Sequence, residues 1–181
     1  MNKLANSRCY LGGAMEFVSD FGMEWREYLK TKLLEFNIIW LDPTNKPIDI
    51  GIEDLEGRDL RKFQKENGRF DAITHDMKII RCVDLRMVDI ADFLIVDLDV
   101  SVHTCGTYEE IFWANRCKKP VIVKIKQGKQ ACPDWLLGTL PHEMIFSTFE
   151  EVRDYLNHIA YDDIVTINHM KRWMFFNWMG E

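Results

Sequence analysis

The stretch from Ala91 to Val123, ADFLIVDLDVSVHTCGTYEEIFWANRCKKPVIV, restricts the fold of this chain more than any other. Phe93 to Val96 is an unbroken apolar run ending in Asp97 and Asp99, the pattern of a strand covered on both faces of a parallel sheet. Pro120 to Ile125, rich in β-branched residues, repeats that pattern. Between the two, Gly106-Thr107-Tyr108-Glu109-Glu110 opens a helix that turns Ile111, Phe112 and Ala114 toward the sheet. In open α/β sheets ligands bind outside the carboxyl ends of strands, beside the loops that lead into helices. The loop from Ser101 to Gly106 and the helical turn after it are therefore the candidate site, and Glu110 is its most interesting residue.

The rest of the chain supplies the remaining strands. Arg8 to Leu11 reads as a first strand followed by Gly12-Gly13, where missing side chains admit either a ligand or a tight turn. Trp25, Tyr28, Leu29, Leu33 and Phe36 recur at helical spacing over Met23 to Phe36, and Asn37 to Leu41 follows as strand two, ended by Asp42-Pro43. Residues 44–70 are charged, broken by glycine and proline, and weakly periodic; they read as an excursion with one or two short helices, either a lid over the site or a solvated insertion. His75 to Ile90 carries a helical stripe of Met77, Ile80, Val83, Met87 and Ile90. Asp84 lies off that stripe, which reads locally as a solvated carboxylate paired with Lys78 or Arg81. Beyond strand four come a loop over Gln127 to Pro133, a short helix to Leu137, and a small fifth strand at Glu143 to Phe146. A helix through His158 follows, with Thr148 and Glu151 at capping-box spacing. The whole is expected to be a single doubly wound α/β domain of about five parallel strands over residues 1–181. Its aromatic tail, 165–181, with Trp173, Phe175, Phe176 and Trp178, is expected at a subunit contact.

Composition excludes several classes. A net charge of −6 argues against a nucleic-acid binder. No apolar run approaches the roughly 20 residues of a membrane span. Glu16 and Asp20 interrupt any signal-peptide core, so a cytoplasmic protein without membrane partners is expected. Cys9, Cys82, Cys105, Cys117 and Cys132 are odd in number and lack paired spacing, which suits reduced thiols, with no structural zinc and no cofactor. His103 alternates with Cys105 about Thr104, a weak and common juxtaposition. Asp97 and Asp99 read as a sugar-hydroxyl contact or a loop cap.

Locally, Thr107-x-x-Glu110 is itself a capping box, a structural reading of Glu110. A carboxylate near a helix N-terminus in a crevice is also a competent nucleophile toward an electrophilic carbon. The order Tyr10-x-Gly12, then VDLRMVDIADFLIVDLD with Asp84, then Gly106-x-x-x-Glu110 with Ala114 and Lys119-Pro120, resembles the nucleoside 2-deoxyribosyltransferase family and its 2′-deoxynucleoside 5′-monophosphate N-hydrolase relatives, over roughly Arg8 to Lys126. The resemblance implies a flavodoxin-like sheet and cleavage of an N-glycosidic bond in a nucleoside or nucleotide. It implies that Glu110 attacks the anomeric carbon, that Tyr10 holds Glu110, that Gly12 lets the base sit against the first-strand loop, and that Asp84 assists protonation of the leaving base. A second base or water then resolves the glycosyl-enzyme, and a neighbouring subunit of a homodimer or higher oligomer completes the site.

One position departs from that pattern. The transferases usually carry Asp two residues before the helix glycine, whereas Thr104 stands here; the monophosphate hydrolases carry a hydroxyl residue there, which helps to bind phosphate. A carboxylate repels phosphate and a hydroxyl donates to it. Thr104, Gly106 and Thr107 with the free N–H groups of the helix start are thus an expected anion site, and Asp97 an expected sugar contact. Two other readings stay open: an inactive nucleotide-binding module of the same fold, and hydrolysis of a dinucleotide such as NAD.

Overall fold

The computed structural model describes residues 1–162 and 171–173. Five parallel strands form one sheet in the order β2-β1-β3-β4-β5. They are β1 (Arg8–Gly13), β2 (Ile39–Leu41), β3 (Phe93–Leu98), β4 (Val121–Ile125) and β5 (Ile145–Phe146). The helices are α1 (Met23–Lys32), α2 (Leu55–Glu66), α3 (Phe70–Ile90), α4 (Cys105–Arg116), α5 (Asp134–Leu137) and α6 (Phe149–Tyr161). Helices cover both faces, so the chain is a doubly wound α/β fold, as its apolar strand runs predict.

Strand β3 shows why. Phe93 and Ile95 enter one apolar cluster with Leu29, Leu33, Val152 and Leu156 of α1, its continuation and α6. Leu94, Val96 and Leu98 enter a second cluster with Met87, Val88, Ile111 and Ala114 of α3 and α4. Strand β1 alternates in the same way: Cys9 and Leu11 face the first cluster, and Tyr10 faces the second. Gly12 and Gly13 sit opposite Val96 and Asp97 in the parallel register with β3. The order of connection reverses at β1 and β3, and ligand crevices open at such a switch point.

Several elements differ in extent from the sequence reading. The first helix stops at Lys32 and tightens into a 3₁₀ turn at Leu34–Phe36, ended by Asn37 in a left-handed conformation at φ 50°. Helix α3 begins at Phe70, before His75. The fifth strand is only Ile145–Phe146, and Thr148 and Glu151 do form a reciprocal capping box on α6. The excursion of 44–70 contains α2, capped by Asp54, whose carboxylate accepts from Gly57 N at 2.7 Å.

Trp173 is fully buried against this chain's own core. Its ring lies 5.2 Å from Phe93, and its indole N–H donates to the Tyr155 hydroxyl at 3.0 Å. The expectation that it sits at a subunit contact is corrected, because an aromatic ring here completes the layer between β3 and α6. Phe175, Phe176 and Trp178 lie outside the described residues. Among the described residues no helix is long and apolar enough to cross a membrane.

Candidate active site

A cleft of about 370 Å³ opens at the carboxyl end of β1 and β3. Its walls are the turn after β1, the start of α4, the middle of α3, and Glu53 and Arg61 from the excursion. Glu110 points into it from the second turn of α4 and is half-buried. The Tyr10 hydroxyl donates to Glu110 Oε1 at 2.7 Å, so a side chain from β1 orients a carboxylate from α4 across one hundred residues of sequence.

The capping-box reading of Glu110 is overturned. Helix α4 starts at Cys105 with Thr104 as its N-cap, so Thr107 is already inside the helix and Glu110 lies a turn too far on to cap it. Its partner is Tyr10. Enclosure by protein pushes the Glu110 carboxyl up to about 8, against the Tyr10 hydrogen bond that favours the anion. The charge of Asp84 adds to the rise.

The glycines fit by close approach. A side chain on Gly12 would meet Glu110 Oε2 at 3.1 Å and Val96 at 3.2 Å, so anything larger would displace the carboxylate. One on Gly13 would meet the Trp25 ring at 2.9 Å and the Asp97 carbonyl at 3.0 Å. Gly13 lines the cleft, as do Thr104, Gly106 and Thr107. Next to Gly106 there is open space. Thr104 and Thr107 are buried, and the Thr104 hydroxyl oxygen has no hydrogen-bond partner.

Asp84 is not solvated and does not pair with Lys78 or Arg81. It is buried on the inward side of α3 with Ile80, Met87 and Val88, and its Oδ1 lies 2.7 Å from Lys46 Nζ. Arg81 instead pairs with Glu109 at the rim. The stripe read from the sequence does face inward at Ile80 and Met87; Met77 at its start is exposed, and Asp84 lies beside the stripe toward the cleft. Asp97 is not brought into this cleft. It pairs with Lys124 at 2.9 Å and lines a separate depression with Asp99, Asp20 and Lys126. Alternation along β3 is the reason, since Asp97 follows Ile95 to the α1 face while Val96 faces α4. Asp99 accepts from the Ser101 hydroxyl at 2.5 Å and the Gln127 amide at 2.6 Å, a loop-capping role. His103 and Cys105 are exposed at the cleft rim, and among the described residues no His, Cys, Asp and Glu cluster could hold a metal ion.

Sequence reasoning missed Arg26, Asp42, Lys46 and Glu53. Arg26 is fully buried beneath the end of β1. Its guanidinium donates to the carbonyls of Leu11 at 3.2 Å, Gly22 at 2.7 Å and Gly13 at 3.4 Å, and lies 3.6 Å from Asp42. It thus holds the glycine turn that faces Glu110. Lys46 is buried between Glu53 and Asp84, at 3.1 and 2.7 Å. No local signal marked it: the isoleucines that follow, Ile48, Ile50 and Ile52, are exposed, and its partners Glu53 and Asp84 meet it only in the fold.

No protein-family model matches the chain, and no curated protein matches it in sequence. Solved structures do match. A 2-deoxyribosyltransferase from Bacillus psychrosaccharolyticus superposes with a TM-score of 0.51 at 16% identity, covering 82% of this chain and 92% of that one. A conserved protein from Enterococcus faecalis V583 gives 0.53 at 15% identity, covering 85% and 99%. A 2-desoxiribosyltransferase from Leishmania mexicana gives 0.45 at 17% identity over 67% of this chain, which spans 66% of that one. At these identities the likeness is one of fold.

Proposed function

We propose that this protein cleaves the N-glycosidic bond of a (deoxy)nucleoside 5′-monophosphate, with Glu110 as nucleophile. The observation that carries the reading is the Tyr10–Glu110 hydrogen bond at the sheet's switch point, with Gly12 cleared to admit the carboxylate. In the reaction a Glu110 oxygen forms a bond to the anomeric carbon while the bond from that carbon to the base breaks, and its electron pair leaves with the base. Asp84, facing the same cleft, supplies the proton that the departing base takes up. Water or a second base then attacks the anomeric carbon and frees Glu110, the retaining logic of two carboxyl groups flanking one glycosidic bond. The fold shared with a 2-deoxyribosyltransferase supports the choice of bond.

The Thr104 hydroxyl supports the monophosphate. It is buried without a partner at the first turn of a twelve-residue helix, beside the open space at Gly106. Buried polar atoms are rarely left unpaired, and a helix start favours an anion. Incubation with a panel of nucleosides and their 5′-monophosphates, scored by chromatography for released base, tests both parts. A hydrogen bond to a charged group contributes roughly 1.5–3 kcal/mol, so the monophosphate is expected to be preferred by about tenfold to a hundredfold. Thr104→Asp is expected to remove that preference while sparing free nucleosides. Equal loss on both substrates assigns Thr104 to loop shape, and no released base from any substrate defeats the N-glycosidic reading.

A further inference from the structure

The cleft wall opposite Glu110 is built by the segment that follows β2, and its construction is specific. Asp42 ends the strand and turns the chain by accepting from Thr44 N at 2.8 Å and the Thr44 hydroxyl at 2.7 Å. Lys30 and Arg26 of α1 hold that carboxylate at 2.6 and 3.6 Å. The chain then lies flat on α3: Gly51, at φ 65°, passes so close that a side chain would meet the Ile80 backbone at 3.2 Å. Lys46 folds back beneath it, donating to Gly51 O at 2.5 Å and reaching Glu53 and Asp84. Lys46 is 2% exposed, Glu53 11% and Asp84 12% in their side chains.

Two carboxyl groups thus share one ammonium out of water, and both line the cleft. If both were ionised, one buried negative charge would stand uncompensated, which is costly. Both carboxyls meet the same Lys46 ammonium, at 3.1 and 2.7 Å, so one proton kept by the pair removes that cost. The other charged groups facing the pair are Glu110 of α4, with Tyr10 of β1 upon it, and Arg26 of α1, whose field reaches Glu53 and Glu110. We propose that Glu53 is a positioning residue that shares and holds the proton of Asp84, with Lys46 fixing the two carboxyls together, so that the pair delivers that proton to the leaving base. The proposal rests on the N-glycosidic reading. As the bond from sugar to base breaks, its electron pair moves onto the base, which takes the shared proton. The pair is left with two negative charges against Lys46. When water attacks the glycosyl-enzyme, the bond to Glu110 breaks and the water's proton returns to the pair. Burial, and then the charge of Glu53, push the Asp84 carboxyl upward against the pull of Lys46, which agrees with a proton retained near neutrality.

The test uses 2′-deoxyguanosine 5′-monophosphate and its N7-methyl derivative, whose base already carries positive charge and leaves without taking a proton. Removing the Glu53 charge leaves Asp84 to Lys46, so Asp84 loses its proton at lower pH. Glu53→Gln is expected to slow release of guanine at neutral pH by about tenfold, for a shift of about one pH unit, and to leave N7-methylguanine release within about twofold. The alkaline limb of kcat/KM moves to lower pH, and Glu53→Asp recovers part of the loss. Carbon-13 NMR of labelled Asp84 is expected to show its titration moving down in Glu53→Gln. Equal loss on both substrates, or an Asp84 titration indifferent to Glu53, overturns the proposal. If the unaltered protein releases no base from either compound while the Asp84 titration still moves, the glycosidic reading falls and proton delivery with it, and the carboxyl pairing stands.

Discussion

Glu110 is held by one hydrogen bond in a site that works against its charge. Its folded value of about 8 lies above the ordinary 4.5, so between those pH values the folded protein keeps a proton that the unfolded chain has lost. The stability tied to that proton is full below about pH 4.5 and is given up as pH rises through about 8. Glu110→Gln keeps the shape and an acceptor for Tyr10 without the titration. It is expected to abolish base release and to raise stability over the parent by on the order of 1–2 kcal/mol at pH 8. Melting curves at pH 5 and pH 8 check this, since the gap between variant and parent must widen with pH. A Gln variant that melts lower at both values returns Glu110 to a structural role. As the proposed nucleophile Glu110 must be ionised, at about 8, while Asp84 must keep its proton, at about 7, so kcat/KM is expected to peak between pH 7 and pH 8 and to fall on either side.

At the scale of elements, each wall of the cleft was legible to a different degree. Strands β1 and β3 and the start of α4 were read because apolar runs and glycines are local signals. Local periodicity read Asp84 as solvated, because it marks apolar positions and cannot mark a carboxylate buried by an ion pair from elsewhere, whereas the family resemblance assigned Asp84 to the site, and it does line the cleft. Asp97 was misassigned because a strand of alternating sides sends it to the α1 face, an orientation fixed by register. Lys46, Glu53 and Arg26 act through tertiary contacts that leave no period in sequence. The glycine turn offers a direct check on packing against site. Gly13→Ala drives a methyl group into Trp25 and the Asp97 carbonyl and is expected to cost about 1–3 kcal/mol. Gly106→Ala meets nothing, so it should melt with the parent and lose activity only where a ligand needs that space. Chemical denaturation and turnover measured on both variants separate the two effects.

For the molecule as a whole, Trp173 returns the end of the described chain to the core beneath β3. Trp173→Ala is expected to destabilise by about 3–5 kcal/mol in urea unfolding, the range for emptying a buried aromatic site. Apolar side chains that remain exposed include Ile48, Ile50, Ile52, Leu60 and Phe63 of the excursion, together with Phe17 beside the cleft. We expect at least a dimer, and a monomer by light scattering at micromolar concentration counts against it.

The two sides of the cleft also differ in what they are free to become. Tyr10, Gly12 and Gly13 belong to an interior strand, where each position is shared with core packing, so variation there is paid for in folding. Arg61 and the exposed face of α2 carry little of that core. Over evolutionary time, or in a library of variants, the cleft's range of ligands can therefore drift through α2 while Tyr10, Glu110 and the Lys46–Glu53–Asp84 group stay constant, and selection for new ligands should collect its changes between residues 55 and 66.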